Sequence, residues 1–389
     1  MFTPYYFILL FLSLSCGKVT KQTTPELDLF SQQQIQSGGL LLVNTVDDSY
    51  SSGSMALVPL AQTDLFVQDL HTTTNSDFYL RCRGNIIYRI ESFNQDRITL
   101  FDRLHPQNIL AQILTKPIQE PVSSVPIDLA FGPADSALLL RYSRNRGYWM
   151  NSANNSLSVQ SELDFGSFSD ADGYSEAKSA LYWDGLWYIT HQRLNRLSSN
   201  GWSDSNISKL AIVRHETPNS MTSFDLKIRN PISKMIKVDG NLLVAGAGDL
   251  MRINKKFAGV EVIGREISVI DGNITHQSKR VILAGKQIID MEKMDQNNLL
   301  AIEYVGPSKT NLHLVEISSG AEKVLPDDVL KLNDITDGHL SAVERDPQGN
   351  LWLAMFSGGQ RGLWKISAQG KLIEHLPLKK NPLALSFCQ

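Results

Sequence analysis

Neither sign of charge prevails in this chain: 37 Lys and Arg stand against 40 Asp and Glu, a formal net charge of -3 over 389 residues. No basic stripe of the kind that tracks a phosphate backbone is present, which argues against a nucleic-acid partner. Convincing helical periodicity is scarce, and no GxSxG elbow or Walker loop occurs. The eight His residues, at 71, 105, 191, 215, 276, 313, 339 and 375, form no HxH or HExxH pair. Gly246-Ala247-Gly248 lacks a third glycine and a following helix, so it reads as a hairpin turn. With 42% hydrophobic and 20% charged residues, the composition excludes collagen-like, coiled-coil and wholly disordered chains. A chain of this size buries a substantial core.

The apolar run YYFILLFLSL, residues 5 to 14, is too short to span a bilayer, which takes about 20 residues. It has the length of a signal-peptide core. Ser13 and Ser15 are small at the positions a signal peptidase inspects, and Cys16 follows. This stretch resembles a bacterial lipoprotein signal, which implies a diacylglyceryl group on the Cys16 thiol and membrane attachment through acyl chains. It departs from the usual pattern at Ser13, where Leu is expected, and in a leader without Lys or Arg. Gly17 in place of Asp implies the outer membrane. Residues 16 to 38 are polar and Gln-rich and read as a tether. The domain expectation is therefore a signal peptide over 1–15, a tether over 16–38 and a folded body over 39–389. Cys82 and Cys388 remain as an even pair in an oxidising compartment. Either a disulfide between them or two buried thiols fits.

Beyond residue 38 short strands rich in Val, Ile, Leu, Tyr and Trp alternate with Gly, Asn and Asp turns. Seven segments share a turn followed by an apolar strand: GGLLLVNT, SDFYLRC, DSALLLRY, DGLWYITH, DGNLLVAG, QNNLLAIEY and QGNLWLAMF. Their strands begin at Leu40, Phe78, Leu138, Leu186, Leu242, Leu299 and Leu351, at spacings suited to four-stranded blades. A blade cannot bury both faces alone, and a closed ring solves this while removing exposed edges. The expected fold is all-β, a single seven-bladed β-propeller. The tail PLALSF supplies the inner strand that the first unit lacks. Extra strand-like sequence over 255–285 leaves eight blades open, and two packed β-sandwiches are the competing architecture.

The stretch running from PIDLAFGPADSALLLRY through the Asp170-Ala171-Asp172-Gly173 loop to Gln192-Arg193-Leu194 resembles secreted YVTN-type propellers of Gram-negative bacteria. The final unit, DPQGNLWLAMFSGGQRGLWKIS, is similar to blades of the NHL and streptogramin-lyase type. The resemblance implies fold and location more than activity.

Two groups of residues carry candidate chemistry. Asp170 and Asp172, with Glu176 nearby, resemble part of a calcium loop without its third Asp and distal Glu; an exposed loop bonding its own backbone is the competing reading. Arg141 and Arg144, with Arg146 and Tyr148 close by, follow one strand, and His191 and Arg193 follow the next. If those loops share a rim, they form a cationic, aromatic-lined patch for an acidic or sugar ligand. No catalytic residue and no cofactor is expected beyond that calcium ion. The functional expectation is a lipid-anchored, non-enzymatic scaffold of the cell envelope that binds another envelope protein or a small ligand. The alternative is a lactonase- or lyase-like propeller enzyme with a metal in its central channel.

Overall fold

The structure, a computed structural model, describes residues 39–388 apart from 118, 121, 195–206, 218–219, 249–256, 268–273, 307–308, 336–337 and 357. It is a ring of seven antiparallel four-stranded sheets, a seven-bladed β-propeller. The inner strands of blades two to seven are Phe78–Arg83, Pro126–Phe131, Ala177–Trp183, Ile236–Val238, Ile288–Lys293 and His339–Arg345. Blade one takes its inner strand from the end of the chain: Asn381–Cys388 lies beside Leu40–Val46, and the sheet continues through Gly53–Pro59 and Val67–Thr73. The PLALSF tail thus closes the ring.

Second strands are the most deeply placed. Leu40–Val46, Ile86–Glu91, Leu186–His191 and Leu351–Phe356 are buried at every residue, because each is paired on both edges and covered on both faces by neighbouring blades. Two of the hairpins leading into them show why the sequence turns there. Asp184-Gly185 and Asp239-Gly240 have positive φ at both positions, as a two-residue type I′ turn requires.

Buried side chains fall into seven clusters, each built from two adjacent blades. The core is therefore a circle of seams. In the seam between blades three and four the packing leaves no room beside Gly132, where a Cβ would stand 2.3 Å from the Trp187 ring.

Residues 255–285 do not make an eighth blade: Ala258–Ile267 and Ile274–Ile282 are the outer two strands of blade five. The second unit also shifts by one strand. Phe78 opens the inner strand of blade two, and the true counterpart of Leu186 or Leu351 is Ile86. The final blade is built from His339–Arg345, Leu351–Phe356, Gly362–Ile366 and Leu372–Pro377, its second strand starting at Leu351 as expected.

Candidate functional site

Inner strands start, and second strands end, on one rim of the ring. Register places Phe78 opposite Glu91, Pro126 opposite Arg141, and Ala177 opposite His191 there. Arg141, Arg144, His191 and Arg193 consequently share this rim, on adjacent blades three and four.

Several of their polar atoms are engaged with the protein, while Arg141 Nε and Nη1 and His191 Nε2 are buried without a hydrogen-bond partner among the described residues. Arg141 is fully buried, ion-paired with Glu120, and its guanidinium lies 4.5 Å from the centre of the Tyr148 ring. Arg144 donates from Nε to Glu120 at 3.0 Å and from Nη2 to the Val122 carbonyl. His191 stacks on Phe168 at 4.5 Å and meets the edge of Phe165, with Nδ1 3.2 Å from the Ser175 carbonyl. Burial holds its pKa down at about 3. Arg193 donates to the carbonyls of Phe168, at 3.1 Å, and Ile207, at 3.0 Å.

The Asp170–Gly173 loop lies just before the inner strand of blade four. Asp170 Oδ1 accepts the Asp172 N–H at 3.1 Å, and Asp172 Oδ1 accepts the Tyr174 N–H at 2.9 Å. These are Asx turns, in which a carboxylate bonds the backbone two residues on. Glu176 is buried and accepts the Leu194 N–H at 2.6 Å. Among the described residues no group of three or more His, Cys, Asp and Glu side chains is placed to hold a metal ion.

Polar residues also stitch blade to blade along this rim. Asn44 donates to the Phe78 carbonyl at 2.6 Å, and Ser92 to the carbonyl of Pro126. Tyr142 donates to Gln192 at 2.6 Å, and Gln192 donates to Asn230 at 2.7 Å. Ser341 donates to the Pro382 carbonyl at 2.7 Å, tying the last blade to the first.

Below the rim, the channel along the ring axis is lined by charge. Arg81 of blade two bonds Asp128 of blade three at 2.7 Å. Lys234, entering blade five, bonds Glu292 of blade six at 2.9 Å and pairs with Glu344 of blade seven. These side chains keep 32% (Arg81), 26% (Lys234) and 24% (Glu344) of their exposure although protein surrounds them as it would a buried group. That combination is the mark of a narrow channel open to water. Burial raises the Glu344 carboxyl to about 7; Lys234 opposes the shift, while Glu292 and Asp290 add to it. Two carboxylates sharing one ammonium cannot both ionise freely.

Asp128 and Asp290 occupy equivalent places in blades three and six. Each accepts a backbone N–H from the next inner strand, Ala180 at 3.0 Å and Val343 at 2.8 Å. The signal was in the sequence as Ile-Asp followed by an apolar residue, in PIDLAF and IIDMEK. An acid inside an apolar strand needs a partner.

At the opposite rim Cys82 and Cys388 form a disulfide between the inner strands of blades two and one, with Cα atoms 5.0 Å apart. Cys16, the signal peptide and the tether lie outside the described residues.

No family model matches the chain, and no curated protein does. Solved structures do. One, named for a proposed 6-phosphogluconolactonase activity in Bacteroides fragilis, is 13% identical with a TM-score of 0.57, covering 92% of this chain and all of its own. A functionally unknown protein from Desulfotomaculum acetoxidans is 10% identical with a TM-score of 0.52, over 90% of this chain and 99% of that one. A streptogramin B lyase is 9% identical with a TM-score of 0.51, over 79% and 86% respectively. At these identities the likeness is one of fold alone.

Proposed function

We propose that this protein is a cell-envelope lipoprotein, anchored through Cys16 in the outer membrane, whose propeller is a non-enzymatic scaffold for a polypeptide partner. The observation that carries this reading is the distribution of exposed aliphatic side chains. Ile109, Leu110 and Leu114 lie on the outermost strand of blade two, Val122 follows in the connection, and Val159 lies on the outermost strand of blade three. Leu114 and Val159 line a hollow of about 330 Å³ together with Pro117 and Tyr148, and Ile109 and Leu110 extend the apolar surface along the same outermost strand. Apolar surface grouped in this way marks interaction sites. The engaged rim arginines and paired channel charges support the same reading, and the disulfide supports an oxidising compartment.

A photo-crosslinking residue at Leu114 in the full-length lipoprotein tests it, with the same residue at Val324 of blade six as the control and a Cys16→Ser form to remove the anchor. The expected result is a discrete crosslinked envelope protein from position 114 only, lost when Val159→Asp is added to the same protein. Equal crosslinking from both positions overturns the reading. The competing reading is a metal-dependent lactonase- or lyase-like reaction at the channel, the kind of activity named for two of the structural neighbours. Its proper test is metal analysis of the purified protein, with wild type compared against Glu292→Gln/Glu344→Gln in the channel.

A further inference from the structure

Each of the seven sheets ends in an outermost strand, and in six of them that strand carries the charge that discourages pairing with another chain. Asp69, Glu162, Asp225, Lys279, Glu322 and Glu374 stand in the outermost strands of blades one, three, four, five, six and seven. Blade two is the exception. Its outermost strand, Ile109–Leu114, reads ILAQIL, without charge and without proline, and Ile109, Leu110 and Leu114 are 48%, 45% and 64% exposed.

The register fixes which backbone groups of this strand face outward. The Thr115 N–H donates to the Asp96 carbonyl at 2.7 Å, and from there the pairing runs through Leu114 opposite Arg97 and Gln112 opposite Thr99. Antiparallel pairs alternate between bonded and unbonded. Ile113 and Ala111 therefore direct their N–H and C=O groups into the blade, while Gln112 and Leu114 turn theirs away from it. The neighbouring strand agrees from its other side: the Arg103 N–H donates to the Asn85 carbonyl at 2.8 Å, which commits Phe101, Thr99 and Arg97 to Ile86–Glu91 and leaves Leu100 and Ile98 for Ala111 and Ile113. No described residue bonds the backbone of Gln112 or Leu114. A bulge follows at Leu110, since Leu100 faces Ala111 and Phe101 faces Ile109.

We infer that the blade-two edge is a self-pairing surface whose occupant is a second copy of this chain, the two Ile109–Leu114 strands joining their blades into one continuous antiparallel sheet. The sequence about Gln112 is self-complementary. With two copies related by a two-fold axis and Gln112 opposite Gln112, Leu114 of each faces the bulged pair Ile109 and Leu110 of the other. Outward N–H then meets outward C=O at Gln112, amide side chain meets amide side chain, and aliphatic meets aliphatic. Like charges, which destabilise directly opposed positions, are absent from both strands. An edge without charge has nothing to steer a charged partner, whereas matching halves suit an isologous contact. The contact is short, so the dimer is weak and depends on concentration. This inference rests on the proposed reading of the edge as an interaction surface and names the polypeptide that occupies it.

Sedimentation velocity on the purified full-length protein, over a concentration series in non-ionic detergent, tests it. The wild type is expected to pass from monomer to dimer. Gln112→Lys and Gln112→Glu, both at an exposed position, each set like charges face to face and should weaken self-association by about tenfold. A one-to-one mixture of the two variants should restore the dimer, because only a second copy brings residue 112 against residue 112. Two chains sharing a micelle, or a dimer formed elsewhere on the ring, would be indifferent to these substitutions. A monomer at every concentration overturns the inference, as does a dimer that the substitutions leave unchanged or a mixture that stays monomeric. The scaffold reading has a separate outcome. A crosslink from position 114 to a different protein sustains it whether or not the dimer forms, and a dimer that crosslinks only to itself sustains the inference while removing that other partner.

Discussion

Lys234 holds Glu292 and Glu344 together across three blades, with Asp290 close enough to act on the same group. Replacing Lys234 by Met leaves acidic groups facing one another without a counter-charge. Removal of one partner from such a site costs about 3 kcal/mol, which a urea unfolding midpoint will show. Glu344 makes a separate prediction. The folded protein keeps this proton up to about pH 7, whereas an unfolded glutamate releases it near its ordinary value of 4.5. Unfolding therefore releases a proton in that window, and the contribution of Glu344 to stability falls as pH rises from about 4.5 to 7. His191 has the opposite sign: its folded pKa is near 3 against an ordinary value of 6.5, so its contribution falls as pH drops through that interval. Because the two overlap, the comparison to make is wild type against Glu344→Gln. The variant's stability curve should lose the downward component between pH 4.5 and 7. At the same scale, Gly132→Ala drives a methyl into the Trp187 ring and should destabilise by roughly 1–3 kcal/mol, the usual cost of overpacking.

Among elements, the C-terminal strand has the largest consequence, since Asn381–Cys388 completes blade one and is cross-linked to blade two. The bond closes a loop over a separation of 306 residues. Loop entropy sets the gain at roughly 6 kcal/mol, with measured bridges more often near 2–4. Cys82→Ser/Cys388→Ser should accordingly unfold at lower urea concentration while keeping the wild-type circular dichroism. The elements also show what could be read in advance. Blade seven was legible throughout because its turns carry Gly and its second strand is uninterrupted Leu, Trp, Met and Phe. Blade two was read one strand out of place because its true second strand, IIYRIE, contains Arg89 and Glu91. Both are buried; Glu91 bonds Arg89, Arg97 and Thr99. A buried ion cluster mimics a solvent-facing strand, whereas the alternating Phe78–Arg83 looks more like a core strand than it is. The channel site was hidden for another reason. Arg81 and Asp128 are 47 residues apart and Lys234 and Glu344 110 apart, so no local spacing reports their meeting.

For the molecule as a whole, seven shared seams mean that no blade owns its core. Val43 belongs to the seam between blades seven and one, and Leu299 to that between blades five and six. Truncating either to Ala should lower stability by about 1–4 kcal/mol, and the double variant should give the sum to within about 0.5 kcal/mol, since the sites share no neighbours. Two truncations inside one seam, at Leu139 and Tyr88, should depart from additivity. Both pairs should unfold in a single transition, which denaturant curves followed by tryptophan fluorescence and circular dichroism will check by coinciding. Ring closure also governs how the molecule bears load. Gly39, where the described chain begins, lies against Cys388, and the first strand runs antiparallel to the last. A pull at Gly39 directed along the first strand is therefore resisted in shear by the whole Leu40–Val46 ladder, whose partner strand is held to blade two by the Cys82–Cys388 link.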